Sequence, residues 1–260
     1  MKAYAKLNLC LDVFGRRQDG FHEINSIMQQ IDLADELTFN DSDEVIVDSP
    51  FTDDIMLKAA RLVKERFKIR DGVKIMVEKK IPHQAGLGGG SSDCAVALAV
   101  LNKKWELGLS LEQLALLGAE LGADVPFFLY GGASFAAGKG ERVVPLKMPK
   151  LNFLIVKPDY SISTKWAYDE LDKVKYNAKH TSARVRDGGS VIENMHNDFI
   201  HIQQEEVKEI ITQMKDNGAL CASITGKGPT VFGIFDSRAD AISASKDFSE
   251  HPFVYAGRSI

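Results

Sequence analysis

No stretch of the 260-residue chain approaches the ~18 consecutive apolar residues that a membrane-spanning helix needs. The opening Met1-Lys2-Ala3-Tyr4-Ala5-Lys6 reaches a second lysine, and then Asn8, before any apolar run develops, so no secretory leader is expected. Cysteine is scarce. Cys10, Cys94 and Cys221 stand far apart among apolar neighbours and form no C-x-x-C pair, the pattern of buried, reduced thiols in a cytoplasmic protein. A basic surplus is also missing. The net charge of −4 argues against a general nucleic-acid binder, while leaving room for a local basic funnel around an anionic ligand. Low-complexity tracts and repeats of fixed period are absent, as are the H-R-D and D-F-G signatures of protein kinases.

What remains is the composition of a globular protein, 45% apolar and 26% charged, long enough for one large domain or two lobes with their own cores. Prolines and lysines cluster at Pro145 to Lys150, and a boundary is expected there, with lobes at residues 1–147 and 148–260. Period-two patterns around Val45 and Val47, and around Val73, Ile75 and Val77, predict half-buried antiparallel strands, and the run from Ile24 to Ile31 leading to Leu37-Thr38-Phe39 is a further strand candidate. Helical spacing predicts a helix over Asp53 to Phe67 capped by Thr52 or Asp53, one from Cys94 to Leu101, and one from Ser110 to Leu121. Ser110 and Gln113 of that last helix fit a capping box. Beyond the boundary the pattern predicts a central strand at Phe153 to Val156, a helix from Ser163 or Thr164 to Leu171, and a polar loop from Lys173 to Ser190. A helix from Glu205 to Asn217, strands near Leu220 to Thr225 and Val231 to Phe235, a helix from Arg238 to Phe248 and a strand at Phe253 to Tyr255 follow. The interleaving lacks strict βαβ repetition and predicts an α+β protein of two lobes on antiparallel or mixed sheets.

The chemistry is concentrated in Pro82-His83-Gln84-Ala85-Gly86-Leu87-Gly88-Gly89-Gly90-Ser91-Ser92, followed at once by a helix. Glycine lacks a Cβ, so a ligand can approach the backbone and φ can be positive. Successive amides can then point at one anion, and a helix start adds its positive dipole end. Ser91 and Ser92 add hydroxyls for phosphate or Mg²⁺. The P-loop pattern fails because Gly90 is not followed by Lys-Ser or Lys-Thr, and the dinucleotide pattern fails at Ser91.

Pro82-x-x-Ala85-Gly86-Leu87-Gly88-Gly89-Gly90-Ser91-Ser92-Asp93 resembles the central motif of the GHMP kinases. Ala5-Lys6-Leu7-Asn8-Leu9 resembles the family's first motif. Arg17-Gln18-Asp19-Gly20-Phe21-His22-Glu23 and Gly122-Ala123-Asp124-Val125-Pro126-Phe127-Phe128 resemble blocks of the branch that acts on a cytidine-diphosphate-bearing alcohol. Departures are Gln84, where many relatives carry glycine or alanine, and Lys227 in Thr225-Gly226-Lys227-Gly228-Pro229-Thr230, where serine is usual. The resemblance implies a two-lobed fold, with a ribosomal-protein-like N-terminal lobe and a ferredoxin-like C-terminal lobe. It implies ATP as phosphoryl donor with Mg²⁺, and as acceptor the 2-hydroxyl of 4-diphosphocytidyl-2-C-methyl-D-erythritol in isoprenoid precursor synthesis. It also implies a cytoplasmic enzyme, monomeric or weakly dimeric, without nucleic-acid or membrane partners.

On residues alone, Asp124 between a helix-ending glycine and an apolar run is either a catalytic base or a turn cap. The resemblance implies the base, with Lys6 as the cation facing it. Asn8 shares a strand face with Lys6 and is a candidate holder of the substrate hydroxyl. Phe21 as a stacking platform and His22 as a hydrogen-bonding group are the candidates for cytosine recognition, with Met195 or Tyr176 as a second platform. The turn from Gly226 to Thr230 is either a hairpin turn or a second wall of the site. Rival readings are another GHMP kinase acting on a mevalonate-type or sugar substrate, and a non-catalytic RNA-binding protein. No metal ligand is assigned.

Overall fold

A computed structural model describes residues 1–51 and 54–260. The chain opens on two long strands, β1 (Lys2–Arg16) and β2 (His22–Ser42). From Ala5 to Val13 β1 is buried on both faces although its sequence alternates, because the polar positions Lys6, Asn8 and Asp12 find hydrogen-bond partners within the protein. There follow β3 (Val45–Asp48), α1 (Ile55–Arg66), β4 (Gly72–Glu78), α2 (Gly89–Lys104), α3 (Leu111–Leu121), α4 (Val125–Tyr130), β5 (Ala133–Gly138) and β6 (Arg142–Leu146). The rest comprises β7 (Asn152–Lys157), α5 (Thr164–Leu171), α6 (Thr181–Arg186), α7 (Val191–Asn194), β8 (His196–Asn197), a 3₁₀ helix (Asp198–Ile202), α8 (Glu205–Asp216), β9 (Cys221–Ile224), β10 (Val231–Phe235), α9 (Arg238–Ala244), a second 3₁₀ helix (Ser245–Phe248) and β11 (Phe253–Arg258). No helix among the described residues is long and apolar enough to cross a membrane.

The chain divides into two compact units that interleave along the sequence. The first holds residues 1–5, 33–81 and 88–131. In it the far half of β2 pairs antiparallel with β4, Phe39 opposite Ile75, whereas β3 pairs parallel with β4 and not antiparallel as its pattern suggests, because α1 lies between them in the chain and returns it in the same direction. Ala3, Leu37 and Ile75 from the strands close a core with Met56 and Ala60 of α1 and Ala97 and Leu101 of α2.

The second unit holds residues 6–32, 82–87 and 132–260, so the boundary expected between residues 147 and 148 lies inside it. Here β5 pairs antiparallel with the near half of β2 and with β6, and β8 runs parallel to β1 with His196 opposite Cys10. A separate antiparallel sheet has the order β11-β7-β10-β9. Counted among those strands alone, that is fourth-first-third-second with helices in the first and last connections, the ferredoxin-like arrangement. Its inner face packs Leu154, Val156, Val231 and Phe235 against Val207, Ile210 and Met214 of α8 and Phe248.

The local signals behave as their chemistry dictates. In α3, Ser110 Oγ accepts from the Gln113 amide at 3.3 Å while Gln113 Oε1 accepts from the Ser110 amide at 2.8 Å. The cap expected at Thr52 or Asp53 falls outside the described residues; Asp54 accepts from the Met56 amide at 2.7 Å and starts α1. One element is left unassigned by the sequence pattern and one departs from it. The Val125 to Phe128 run is a helix, with Pro126 in its first turn where no amide is required, and it ends at Gly131 with φ of +76°. The stretch read as a loop from Lys173 to Ser190 contains α6. Asp12 of β1 accepts from the Thr181 amide (3.0 Å), the Thr181 hydroxyl (2.8 Å) and the Ser182 amide (2.8 Å), so this helix start is held by a carboxylate remote in sequence. All three cysteines are buried and free, and burial pushes the Cys10 thiol to about 12 and Cys221 to about 11, leaving them inert.

Candidate active site

The glycine-rich turn is shared by the two units, Pro82–Leu87 in the second and Gly88 onward in the first. In the second unit, Gly86 has a φ of +73°, and a Cβ built on it would sit 2.4 Å from the carbonyl oxygen of Thr225. Gly226, with φ of +57°, is equally constrained, its Cβ position lying 2.9 Å from the Gly86 Cα. Two bare backbones therefore pass each other here: the turn from Gly226 to Thr230 is the hairpin turn between the antiparallel strands β9 and β10, closed by the Thr225 amide on the Thr230 carbonyl at 3.0 Å, and it also packs against the glycine turn.

Asn8 ties the same place together. Its side-chain oxygen accepts from the Gly226 amide at 2.9 Å and from the Lys6 ammonium, its Nδ2 donates to Ser26 Oγ at 2.8 Å, and its amide donates to Thr225 Oγ1 at 3.0 Å. The Lys6 amide in turn donates to the Leu87 carbonyl at 2.9 Å. Lys6 and Asn8 are both buried. The Asn8 oxygen thus spends both lone pairs on protein donors, so Asn8 orients Lys6 and the Gly226 backbone, a role the strand-face argument did not foresee.

Two departures from the family pattern have structural outcomes. Gln84 adopts φ of +51°, the left-handed conformation that favours glycine. Gln84→Gly is expected to raise stability by about 1 kcal/mol, the approximate penalty for a side chain there, read as the denaturation midpoint. Lys227 Nζ donates to Thr164 Oγ1 at 2.7 Å, beside a pocket of about 140 Å³ lined by Gln84, Gly86, Thr164 and Gly228. It stands alongside the turn and does not point into open solvent.

In the first unit, Gly88 at φ of +73° is the N-cap of α2, which begins earlier than the sequence suggests, at Gly89. The first intrahelical bond runs from the Ser92 amide to the Gly88 carbonyl at 2.9 Å. The amides of Gly89, Gly90 and Ser91 precede it and form the anion-attracting start of the helix. Ser91 is half-buried, whereas Ser92 is buried and its hydroxyl turned to the interior.

Beneath this helix start lies an ionic cluster that no sequence motif announced. Lys79 Nζ donates to Asp35 and, at 2.6 Å, to Asp93 Oδ2. Asp35 also accepts from the amides of Lys80 (2.6 Å) and Ile81 (2.8 Å). Burial pushes the Asp93 carboxyl up to about 7 against the pull of Lys79, and its Oδ1 is a buried acceptor with no hydrogen bond. Burial opposes the charge on Lys79, but Asp93 and Asp35 together raise its pKa above the usual lysine range. The cluster anchors the chain before the turn to the helix after it.

Asp124 is half-buried at the N-cap of α4, where its side chain caps no amide of that helix. Two residues earlier, the Gly122 Cβ position lies 3.8 Å from Ser91 Oγ, so within this unit the Asp124 segment passes the start of α2.

The candidates for base recognition collect in the second unit. Phe21 is 54% exposed, with the Lys139 ammonium 4.7 Å from its ring centre. His22 is buried, its Nε2 2.7 Å from Asp172 Oδ1, and its ring stacks on Tyr168 at 4.4 Å. Tyr168, which stacks there, is not one of the two residues, Met195 and Tyr176, that the sequence offers as a second platform. Tyr176 donates to the Val13 carbonyl at 3.2 Å and its ring faces His201 instead. The available signal was helical: with Ala167 and Leu171 as the buried stripe of α5, Tyr168 falls at its edge.

The chain is similar to known proteins along its whole length. The family model of the GHMP kinase N-terminal domain matches residues 54–132 and that of the C-terminal domain residues 181–252. The 4-diphosphocytidyl-2-C-methyl-D-erythritol kinase of Thermoanaerobacter sp. (strain X514) is 40% identical over all of this chain and 96% of its own length. The enzyme of that name from Bacillus cereus (strain AH187) is 41% identical over 99% of this chain and 96% of its own. A crystal structure of 4-(cytidine 5'-diphospho)-2C-methyl-D-erythritol kinase superposes with a TM-score of 0.85 at 29% identity, over 100% of this chain and 98% of that one. The mevalonate kinase of Methanococcus jannaschii shares the fold at a TM-score of 0.79 with 16% identity, over 100% of this chain and 98% of its own. A glycine turn braced against a second glycine motif, two matching domain models and full-length relatives lead to one placement: the chain belongs to the GHMP kinase family.

Proposed function

We propose that this kinase transfers the γ-phosphoryl group of ATP to the 2-hydroxyl of 4-diphosphocytidyl-2-C-methyl-D-erythritol. The observation that carries the choice of acceptor is the exposed Phe21 next to the buried His22, with half-buried Tyr168 stacked on its ring and the exposed Asp172 on its Nε2, an aromatic and polar group suited to a nucleobase. A kinase for a small acid or a sugar has no use for such a platform. Full-length relatives that carry this activity in their names support the same acceptor.

Each residue has a role that its surroundings support. The amides of Gly89, Gly90 and Ser91 bind phosphate oxygens at the start of α2. Asp124 takes the proton from the acceptor hydroxyl. Lys6, oriented by Asn8, offsets the charge that migrates with the phosphoryl group. His22 hydrogen-bonds the base, Phe21 stacks on it, and Asp172 holds the imidazole in place. The Ser91 hydroxyl is the half-buried oxygen donor of the turn, a fit for Mg²⁺ bound mainly by phosphate oxygens and water, whereas the buried Ser92 is not. Magnesium bound with ATP supplies charge neutralisation of the phosphates.

A coupled ADP-release assay across candidate alcohols tests the proposal. Turnover is expected with the cytidylyl substrate and not with mevalonate or homoserine; the reverse preference overturns it. Phe21→Ala should raise KM for the cytidylyl substrate about tenfold or more, as loss of one stacked base predicts, and leave KM for ATP in place. An unchanged KM removes Phe21 from the base platform.

A further inference from the structure

Three side chains outside this chemistry converge in the second unit. His196 of β8 and Asp198 and His201 of the following 3₁₀ helix offer ligand atoms that all lie within 4.8 Å of one another. Asp198 is fully buried, His196 half-buried and His201 exposed, so the cluster has a rigid floor and an open side.

We propose that His196, Asp198 and His201 bind a divalent transition-metal ion of the zinc type. Two imidazoles and one carboxylate form a borderline donor set that suits Zn²⁺, Co²⁺ or Ni²⁺ and is poor for the hard, all-oxygen preference of Mg²⁺. The distances fit. Bonds of about 2.0–2.2 Å put two ligand atoms of a tetrahedral ion about 3.4 Å apart, and His196 Nε2 and Asp198 Oδ1 are at 2.8 Å. Against the 4.8 Å bound, closure needs a shift of at most about 1.4 Å, within reach of the exposed His201 side chain.

The surroundings are those of a built ligand set. Asp198 Oδ2 accepts from the Val13 amide at 2.8 Å, which fixes the carboxylate while Oδ1 faces the histidines. Capping of the 3₁₀ helix is done by Asn197, whose oxygen accepts from the Phe199 amide at 3.0 Å, so Asp198 is not needed as its cap. Tyr176 walls the cluster, its ring 5.7 Å from that of His201 and its hydroxyl on the Val13 carbonyl. Three protein ligands leave a fourth position for water. An ion here would clamp the end of β8 to the 3₁₀ helix, and would hold Asp198 where it accepts from the Val13 amide of β1, so its first readout is stability, independent of kinase activity.

The test uses the full-length chain, stripped with chelator and without nucleotide. Titration with Co²⁺ should give the intense visible bands of a four-coordinate ion at one equivalent, and excess Zn²⁺ should raise Tm by about 5 °C. His201→Ala should abolish the bands and weaken Zn²⁺ binding about tenfold or more, as should His196→Asn, while His251→Ala, outside the cluster, should change neither. Absence of stoichiometric Co²⁺ binding, or binding undiminished in both cluster variants, overturns the proposal and leaves His196 and Asp198 as a structural hydrogen-bonded pair.

Discussion

Asp124→Asn should lower kcat by about 10²–10⁴-fold, the range of a lost general base, with KM for ATP changed by no more than about twofold. The asparagine keeps the volume of the side chain and removes its basicity. Little structural damage is expected, because asparagine is isosteric with aspartate and α4 starts with Pro126 in its first turn, whose fixed φ is preset for the helix. The neighbouring backbone is set by packing: a Cβ on Gly122 would lie 3.4 Å from Ile55 and Val125, and one on Gly118 would lie 2.7 Å from Val125. Thermal unfolding should therefore be close to wild type while turnover collapses. Single-turnover measurement of phosphoryl transfer separates this from a change in product release. If transfer proceeds at the wild-type rate in Asp124→Asn, the acceptor hydroxyl is deprotonated elsewhere and the assignment is lost.

Much of this site is legible in sequence because its signals are local. Gly86, Gly88, Gly89 and Gly90 announce backbone that must bend or be approached, and the Ser110–Gln113 box marks a helix start within four residues. The strands of the ferredoxin-like sheet are short apolar runs bounded by turns, so their number and positions along the chain follow from pattern, whereas their order in the sheet is implied only by the family resemblance. What escapes is fixed by partners remote in the chain. Helix α6 looks like loop because the carboxylate that satisfies its first amides is Asp12, supplied from β1. The Lys79–Asp35–Asp93 cluster joins three positions of different elements, and only the fold sets them within hydrogen-bond reach. Asn8 is visible as a polar residue beside Lys6, yet its task depends on Gly226, far along the chain. Tyr168 is not legible because its contact is the ring of His22 stacked against it, which neither residue's own neighbourhood reveals.

Gly86→Ala and Gly90→Ala form the second large contrast, and together they separate two uses of glycine. At Gly86 the backbone has φ of +73°, and an added Cβ meets the Thr225 oxygen at 2.4 Å, a separation that something must relieve. Thr225 cannot yield alone. It is fully buried, its hydroxyl donates to the Gly86 carbonyl at 3.3 Å, and it accepts from the Asn8 amide, while Asn8 holds both Gly226 and Lys6. Left-handed strain of about 1–2 kcal/mol and overpacking of about 1–3 kcal/mol add to a loss of about 2–5 kcal/mol, or a fall in Tm of about 5–15 °C. Because Lys6 is reached through the same hydrogen bonds, kcat should fall with stability. At Gly90 the nearest atom to an added Cβ is Ile55 Cγ2 at 3.8 Å, in ordinary contact. Alanine there is a better helix former, so Tm should hold or rise. If the amides at the start of α2 grip the triphosphate, that same methyl stands in the approach, and KM for ATP should rise about tenfold or more. A Gly90→Ala enzyme with wild-type KM for ATP would show that the phosphates are held away from this helix start, whatever the fate of Gly86→Ala.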